Sequence, residues 1–233
     1  MNTDLSIQCH TCNDIGWVTL DVPVEDVRFG KTQLCPDCSS DTLQVLCWDQ
    51  SGIPMRERNQ TFDAFKDLPG TKAAYNAAIE LANHKSGIQL VTLCGQTGAG
   101  KTHLGNAVAI KSINEGVAAW VIVCKVWLKR LKSAIGRDER NKTFESGTMR
   151  EGIENIPVLI LDELKWYSKF DEETMDDIVC NRLRSGLRTL ITTNYNGSDI
   201  NDQFPRIASR SSDDSVGRLI VLREATDYRK RKV

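Results

Sequence analysis

Residues 95–102 read Gly-Gln-Thr-Gly-Ala-Gly-Lys-Thr, and no other segment limits the possible folds of this chain so strongly. The apolar run 88–94 directly before it predicts a buried strand, and the pattern over 104–113 predicts a helix. In that setting the glycines permit a tight turn whose main-chain N–H groups point at phosphate oxygens. The start of the helix adds positive electrostatic potential at the same place. The octapeptide therefore predicts a phosphate-binding loop for a nucleotide.

The side chains of this loop have separate predicted tasks. Lys101 reaches the β and γ phosphates of ATP, and Thr102 ligates Mg²⁺. The competing explanation is a chance match in a glycine-rich turn, which the flanking strand and helix disfavour. The predicted nucleotide contacts in this segment are Gly95, Gly98, Ala99, Gly100, Lys101, Thr102 and His103.

Polar residues also end two later apolar strands. Asp162 and Glu163 follow the apolar residues 159–161, and we predict that Asp162 positions Mg²⁺ while Glu163 polarises the attacking water. Asn194 is predicted to hydrogen-bond that water or the γ-phosphate. The alternatives are an ordinary charged strand end for the carboxylates and a turn residue for Asn194.

Apolar strands alternate with helical patterns over most of the chain. Such strands predict an α/β domain in which a parallel five-stranded sheet is covered by helices on both faces. The predicted helices cover 67–84, 104–113, 125–135 and the segment from Met175 to Leu183. The predicted strands are 88–94, 117–123, 156–161, 190–193 and 219–222.

Two Cys-x-x-Cys pairs lie near the beginning of the chain, with 22 residues between them. Four thiolates in two short turns suit a tetrahedral Zn²⁺ site, and four cysteines leave no open position for catalysis. A module this small also needs a metal to fold well. A redox pair is the alternative, and the duplication outside a βαβ unit disfavours it. The predicted zinc ligands are Cys9, Cys12, Cys35 and Cys38.

Composition and charge set the expected organisation. We predict a zinc-ribbon-like, partner-docking module over 1–48, a polar linker over 49–60 and an ATPase domain over 61–233. Residues 1–58 carry nine acidic and four basic side chains, which favours a protein partner over nucleic acid for this part. No apolar stretch approaches the ~20 residues of a membrane span, and no signal peptide is recognisable, so we expect a cytoplasmic protein without membrane contact.

Basic residues accumulate over 125–150, with eight Lys/Arg against three Asp/Glu. A basic helix face with an aromatic side chain is typical of single-stranded DNA binding. The alternative is a solvated face from which Trp127 and Leu131 pack inward. The predicted DNA contacts are Lys125, Trp127, Lys129, Arg130 and Lys132.

The order of the motifs resembles that of DnaC/DnaI-type AAA+ helicase loaders and their relative, the IstB transposition ATPase. The resemblance covers 61–229 and its motifs are specific in combination. The cysteine-rich front resembles the zinc-bearing module of DnaI-type loaders. The segments that carry the resemblance are Thr-Phe-Asp-Ala-Phe at 61–65, the loop with His-Leu at 95–104, and residues 159–164, 186–194 and 206–210.

The resemblance implies further roles. Asn194 corresponds to sensor 1, Arg229 to sensor 2, and Arg210 to the arginine finger that stabilises transition-state charge in a neighbouring subunit. Arg206 lies four residues earlier, so one helix face can carry both arginines, and from the sequence alone a trans-acting arginine and a pair of surface arginines are equal alternatives. Ser-Ser-Asp-Asp after Arg210 departs from the family's more apolar run. Residues 164–166 read Leu-Lys-Trp where the family often has Leu-Gly, and both preceding carboxylates are kept.

Only eleven residues follow Leu222, so we expect no helical lid and predict that a neighbouring chain completes the nucleotide site. The resulting hypothesis is an ATP-dependent loader that docks on a hexameric replicative helicase, assembles into a ring or spiral, and grips single-stranded DNA. The alternatives are a transposition ATPase that recruits a transposase and a non-enzymatic adaptor in which ATP is a static switch. The acidic zinc module disfavours the first alternative, and the intact carboxylates and Asn194 disfavour the second.

Overall fold

The structure, a computed structural model, describes residues 9–12, 17–19, 23, 32–66, 68–83, 87–136 and 139–223. The chain divides into two compact units, Met1–Asp49 and Gln50–Val233.

The first unit contains a small antiparallel ribbon. Strand β1 (Trp17–Thr19) pairs with β2 (Thr32–Leu34), and Val18 lies opposite Gln33. Helix α1 (Ser39–Gln50) follows and ends at the boundary of the unit. The ribbon agrees with the predicted zinc-ribbon-like module, whereas the helix was not predicted because its apolar residues follow no clear amphipathic period.

The second unit is built on a five-stranded parallel sheet with the strand order β4-β5-β6-β3-β7. The sheet, the phosphate loop after its first strand and the cysteine cluster of the first unit confirm the predicted fold class. The strands lie within or beside the predicted apolar runs, because residues buried on both faces of a parallel sheet must be apolar. Their bounds are β3 Leu90–Gly95, β4 Ala119–Val123, β5 Val158–Asp162, β6 Arg188–Thr193 and β7 Gly217–Leu222.

Helices connect these strands and cover the sheet. None of the described helices combines the length and the apolar composition that a membrane crossing requires. The long helix α5 was not predicted, since its sequence is almost entirely polar. The bounds are α2 Lys72–Ala82, α3 Lys101–Asn114, α4 Cys124–Gly136, α5 Glu139–Asn155, α6 Lys169–Arg184, α7 Gly197–Gln203 and α8 Pro205–Ser211, with a short 3₁₀ helix at Met55–Glu57.

The segment predicted as a linker at 49–60 packs largely on the second unit. Ser51 and Ile53 are buried there, and the Val121 N–H donates to the Ser51 carbonyl oxygen at 2.7 Å. Residues 50–60 therefore extend the larger unit and cover part of the outer edge of β4.

Arg182 is a fully buried cation that joins α5 to β6. Its guanidinium donates to the carbonyl oxygens of Ile153 at 2.8 Å, Ile156 at 2.7 Å and Arg188 at 2.7 Å. Burial, with a contribution from the nearby Arg188 charge, lowers the pKa of Arg182 to about 9. These bonds fix the start of β6, and hence the strand whose far end carries Asn194.

Candidate functional site

The strand order brings the predicted site residues to one edge of the sheet. Strand β3 lies beside β6, and β6 lies beside β5, so the carboxyl ends of these three strands are adjacent. The phosphate loop follows β3, Asp162 ends β5, and Asn194 follows β6. Crevices at such strand ends are where open α/β sheets bind ligands.

The phosphate loop has the backbone conformation that its glycines were predicted to allow. Gly98 and Gly100 have φ angles of 82° and 87°, in the left-handed region that favours glycine. A Cβ atom at Gly100 would lie 2.9 Å from the ring of Phe65, so the close approach of this ring also requires glycine. Helix α3 begins at Lys101, directly after the turn.

Lys101 is held inside the loop by three acceptors. Its Nζ donates to the carbonyl oxygens of Gly95 at 2.7 Å and Gln96 at 2.8 Å, and to Asn194 Oδ1 at 3.0 Å. Burial lowers the pKa of Lys101, and the nearby negative charge of Asp162 opposes this shift. A phosphate oxygen offers this buried ammonium group a charged partner that its neutral acceptors do not.

Thr102, Asp162 and Thr192 form a hydrogen-bonded set of oxygens. The Thr102 hydroxyl donates to Asp162 Oδ1 at 3.0 Å, and the Thr192 hydroxyl donates to the same oxygen at 2.6 Å. Asp162 is 6% exposed. Hydroxyl and carboxylate oxygens are the ligands that Mg²⁺ prefers, so Thr102 and Asp162 fit a Mg²⁺ ion that retains several waters.

Glu163 lies at the border of the same site in an uncommon backbone conformation. Its φ angle is 56°, the one positive value for a non-glycine residue in the described part of the chain. The Glu163 N–H donates to Thr192 Oγ1 at 3.0 Å, and the Leu164 N–H donates to the Thr192 carbonyl oxygen at 2.8 Å. Thr192 thus holds the turn that carries Glu163. Sequence analysis missed this role, because a threonine inside an apolar strand carries no separate signal.

A cavity of about 390 Å³ lies over the phosphate loop. Its phosphate end is bordered by residues 97–102, Glu163, Thr192 and Asn194, and its opposite wall comes from the segment before the sheet. His103 also borders it, and the His103 ring contacts the Thr61 carbonyl oxygen at 2.8 Å through Nε2. The residues of the opposite wall are Glu57, Gln60, Ala64, Phe65, Lys66 and Leu68.

The opposite wall contains a polar network that sequence analysis did not identify. Asn106 Nδ2 donates to Gln60 Oε1 at 2.9 Å and to Glu57 Oε2 at 3.3 Å. Asn106 is 1% exposed, and its Oδ1 atom has no hydrogen-bond partner among the residues that the structure describes. Residues 57 and 60 belong to the segment that the sequence predicts as a linker. The Thr-Phe-Asp-Ala-Phe segment at 61–65, which follows them, was the sequence signal for this wall of the cavity.

The arginines lie outside this cavity. Arg206 on α8 is exposed, and its Nε lies 3.8 Å from Asp176 Oδ2 on α6. Burial raises the pKa of Asp176, and the Arg206 charge opposes that shift. Arg210 is half-buried on the same helix. Neither arginine borders the nucleotide cavity within the described part of the chain, and Arg229 lies outside the described residues.

The predicted aromatic DNA contact on α4 is wrong. Trp127 is 8% exposed and packs in the core with Leu128 and Leu131, because these apolar side chains form the stripe that faces the sheet. The basic residues predicted with it, Lys125, Lys129, Arg130 and Lys132, are exposed.

Two exposed aromatic side chains instead lie beside this basic face. Tyr167 and Phe170 are 55% and 40% exposed. Lys125 Nζ lies 5.7 Å from the Tyr167 ring centre, and Lys132 Nζ lies 5.7 Å from the Phe170 ring centre. In the sequence, Tyr167 and Phe170 are marked only by their position after the acidic pair. The tertiary structure brings them to α4.

The four predicted zinc ligands lie together in the first unit. All four sulfur atoms are within 4.8 Å of one another, with 3.6 Å between Cys9 and Cys35 and 3.4 Å between Cys12 and Cys38. A tetrahedral ion with Zn–S bonds of ~2.3 Å separates its sulfurs by about 3.8 Å, so the cluster fits Zn²⁺. The other cysteines of the chain form no disulfide in the described structure; they are Cys47, Cys94, Cys124 and Cys180.

Known proteins resemble this chain in sequence and in fold. A family model described as IstB-like ATP binding protein matches residues 55–202, more than half of the chain. The chromosomal replication initiator DnaA of Aliarcobacter butzleri is 30% identical over 195 residues, which cover 82% of this chain and 41% of that protein.

Solved structures share the fold of the second unit. The DnaC helicase loader superposes with a TM-score of 0.59 at 22% identity, over 72% of this chain and 99% of that one. DnaA bound to AMPPCP and single-stranded DNA gives a TM-score of 0.59 at 17% identity, over 72% of this chain and 50% of that one. The chain thus spans 41% of the first of these DnaA proteins and 50% of the second.

Proposed function

The chain belongs to the IstB-like ATP-binding protein family, and on that premise we propose that it is an ATPase that loads a replicative helicase onto single-stranded DNA. The observation that carries the proposal is the joint placement of Lys101, the Asp162–Thr102 pair and Glu163 around one cavity. The likeness of this fold to the DnaC helicase loader, over 72% of this chain and 99% of that one, supports the choice of task.

The proposed hydrolysis assigns one task to each side chain. Lys101 exchanges its Asn194 contact for the β and γ phosphates, and the freed Asn194 amide orients the attacking water. Glu163 accepts a hydrogen bond from that water and polarises it. Thr102 and Asp162 hold Mg²⁺, which neutralises charge on the phosphates when bound. Thr192 fixes the Asp162 carboxylate and the main chain of Glu163 relative to β6.

The base of the nucleotide lies at the opposite wall in this proposal. The phosphate loop fixes one end of ATP, so the base extends toward Phe65 and the pair Glu57 and Gln60. Phe65 packs edge-on against His103, with 5.2 Å between ring centres, and offers an apolar surface. Gln60 and Glu57 offer polar groups that Asn106 orients.

Single-stranded DNA lies along the exposed side of α4 in this proposal. Lys125, Lys129 and Arg130 supply charge for the phosphates, and Tyr167 and Phe170 take the stacking role that Trp127 cannot serve. Binding of this kind tracks the backbone with little base preference.

Assembly and helicase docking complete the proposal. Because Arg206 and Arg210 lie away from the cavity of their own chain, either serves a neighbouring subunit in a ring or spiral. Arg229 joins the nucleotide site as sensor 2. The zinc-bearing module at 1–48, which is acidic in composition, docks on the hexameric helicase in the cytoplasm.

The test is a loading assay with the hexameric helicase from the same genome and circular single-stranded DNA, which has no end for a ring to thread. The full chain with ATP should place the helicase on the circle, and Glu163→Gln should form a complex that does not release. Failure to bind the helicase, with no loading, would contradict the proposal.

The family description favours one second candidate, a transposition ATPase of the IstB kind. Such a protein should coat double-stranded DNA and capture a transposase from the native cell instead of a helicase. Electron microscopy of the chain with ATP on duplex and single-stranded DNA separates the two candidates.

A further inference from the structure

Helix α8 is fixed in the fold at both of its ends. Just before its first residue, the buried Phe204 ring packs edge-on against Trp166, with 4.6 Å between ring centres. At its last residue, the Ser211 hydroxyl lies 2.7 Å from the Thr92 hydroxyl of β3. Because the helix is anchored in this way, the directions of its two arginine side chains depend on the groups that these side chains contact.

Asp176 on α6 is a buried carboxylate whose contacts are incomplete. It is 4% exposed, and its Oδ2 lies 3.8 Å from Arg206 Nε, beyond hydrogen-bonding distance. Its other oxygen, Oδ1, is buried and has no hydrogen-bond partner in the described part of the chain. Burial of a carboxylate is costly unless donors satisfy its oxygens, and a guanidinium supplies such bonds at about 2.7–2.9 Å. Asp176 therefore has an unused acceptor for a nearby cation.

The two arginines of α8 differ in their contacts. The Arg206 side chain is 67% exposed and forms the ion pair with Asp176. Arg210 is half-buried, and its guanidinium forms no ion pair or hydrogen bond among the described residues. Burial raises the pKa of Asp176, and the charges of Arg206 and, less strongly, Arg210 oppose that shift. Arg210 is thus an unpaired cation within electrostatic range of a carboxylate that has a free oxygen.

We propose that Asp176 is a positioning residue that directs Arg210 toward the nucleotide of a neighbouring subunit, while Arg206 anchors the same carboxylate. The inference rests on the proposed function, and it assigns the trans-acting role to one of the two arginines. A guanidinium has five N–H donors in a fixed plane, so Arg210 can donate to Asp176 Oδ1 and keep its other donors for the γ-phosphate. The carboxylate orients the guanidinium before the phosphate arrives, which reduces the entropy lost on contact.

The position of Asp176 predicts which subunit feels its loss. Asp176 does not border the nucleotide cavity of its own chain in the described structure. Its substitution should therefore leave ATP binding by the same chain unchanged and lower turnover in the adjacent subunit. A residue that only stabilises its own subunit has no such preference for the neighbour.

The experiment mixes two full-length variants that are each inactive alone, with the helicase and single-stranded DNA present. The Lys101→Ala chain supplies α8 but binds no ATP, and the Arg210→Ala chain binds ATP but supplies no arginine. The ATP concentration lies between the dissociation constants of the two variants, so that only the second chain is occupied. Mixed assemblies should regain turnover, because Arg210 of the first chain reaches the nucleotide of the second.

Asp176→Asn keeps the size of the side chain and removes its charge. Placed in the Lys101→Ala chain, it should lower the regained turnover about tenfold, because Arg210 loses its orientation. Placed in the Arg210→Ala chain, it should change that turnover by less than about twofold, because this chain has no arginine to orient. The second placement also shows that the substituted chain folds and assembles.

Asp177→Asn in the Lys101→Ala chain is the matched control, because the Asp177 side chain is 59% exposed on the same helix and pairs with Arg150. It should keep the regained turnover. Arg206→Ala in the Lys101→Ala chain should lower turnover by at most about threefold, since Arg210 keeps the carboxylate that orients it.

Equal effects of Asp176→Asn in the two chains, or no effect in either, overturn the inference. A larger loss from Arg206→Ala than from Asp176→Asn overturns the assignment of Arg210, and so does a mixture that regains no turnover. In each of these cases the proposed function stands if the wild-type chain still loads the helicase. If the wild-type chain neither hydrolyses ATP nor loads the helicase, the proposed function itself fails.

Discussion

The two ends of the nucleotide cavity are built in different ways. At the phosphate end, Lys101 and Asp162 lie in turns and strand ends that the sheet brings together, and main-chain groups supply many of the contacts. At the base end, Glu57 and Gln60 precede the sheet, and both of their side chains accept hydrogen bonds from the Asn106 side chain. Changes at the phosphate end should therefore alter the chemical step, the binding of phosphate or both, whereas changes at the base end should alter affinity alone.

Glu163→Gln should give the largest effect and tests the chemical role of the phosphate end. The amide keeps the size of the side chain but cannot polarise water as a carboxylate does. We expect the turnover rate to fall about a thousandfold while ATP affinity changes by less than about twofold. Single-turnover phosphate release and calorimetric ATP titration measure the two quantities.

Glu173→Gln is the control for Glu163→Gln, since Glu173 is exposed on α6 and pairs only with Lys169 in the described structure. A turnover rate in Glu163→Gln equal to that of this control would remove Glu163 from the mechanism. The difference between the two cavity ends would then concern binding only.

Lys101→Ala should give the next largest effect, on binding. The substitution removes a buried ammonium group that is aimed into the phosphate loop, so we expect ATP affinity to fall about a hundredfold. Lys111→Ala, on the same helix with its ammonium paired to Glu115, should bind as the wild type does. Retained affinity in Lys101→Ala, measured by calorimetry, would place the phosphates elsewhere.

The contrast between the two ends of the nucleotide cavity also explains which site residues the sequence could predict. Lys101, Thr102 and Asp162 were identified because their spacing within short motifs specifies both the turn and the chemistry. Glu57 and Gln60 were missed because they approach the cavity through a tertiary contact with Asn106, which is separated from them by more than 40 residues. Local patterns encode the first kind of site, whereas for the second they give only the neighbouring segment 61–65 and not the residues in contact.

Trp127 on α4 shows the same limit of local sequence patterns, which do not reveal tertiary contacts. Basic residues around Trp127 satisfied the composition of a DNA-binding face, but Trp127, Leu128 and Leu131 share the side of the helix that packs on the sheet. The charge pattern alone predicted which basic residues of α4 are exposed. The accessible rings, Tyr167 and Phe170, come from a different segment of the chain.

Thr192→Val should produce an intermediate effect and tests how the phosphate end is held together. Valine keeps the strand but removes the hydroxyl that accepts from the Glu163 N–H and donates to Asp162. We expect turnover to fall about tenfold, with a higher Mg²⁺ requirement, because the Asp162 carboxylate and the main chain of Glu163 lose their common anchor. Thr192→Ser, which restores the hydroxyl, should recover most of the rate.

A measured rate for Thr192→Val within twofold of the wild type would contradict this positioning role. It would also weaken the contrast between the two ends of the cavity, because main-chain contacts alone would then fix the geometry of the phosphate end.

Asn106→Leu should give the smallest effect and tests the base end. Leucine removes the donor that orients Glu57 and Gln60, so KM for ATP should rise about threefold to tenfold while kcat at saturating ATP stays unchanged. Thermal melting should change little, because Asn106 Oδ1 is buried without a partner and leucine has a similar size. Asn114→Leu, on the exposed end of the same helix, is the control for added apolar surface. A fall in kcat with unchanged KM would mean that the base end contributes to the chemical step, and the division between the two ends of the cavity would be wrong.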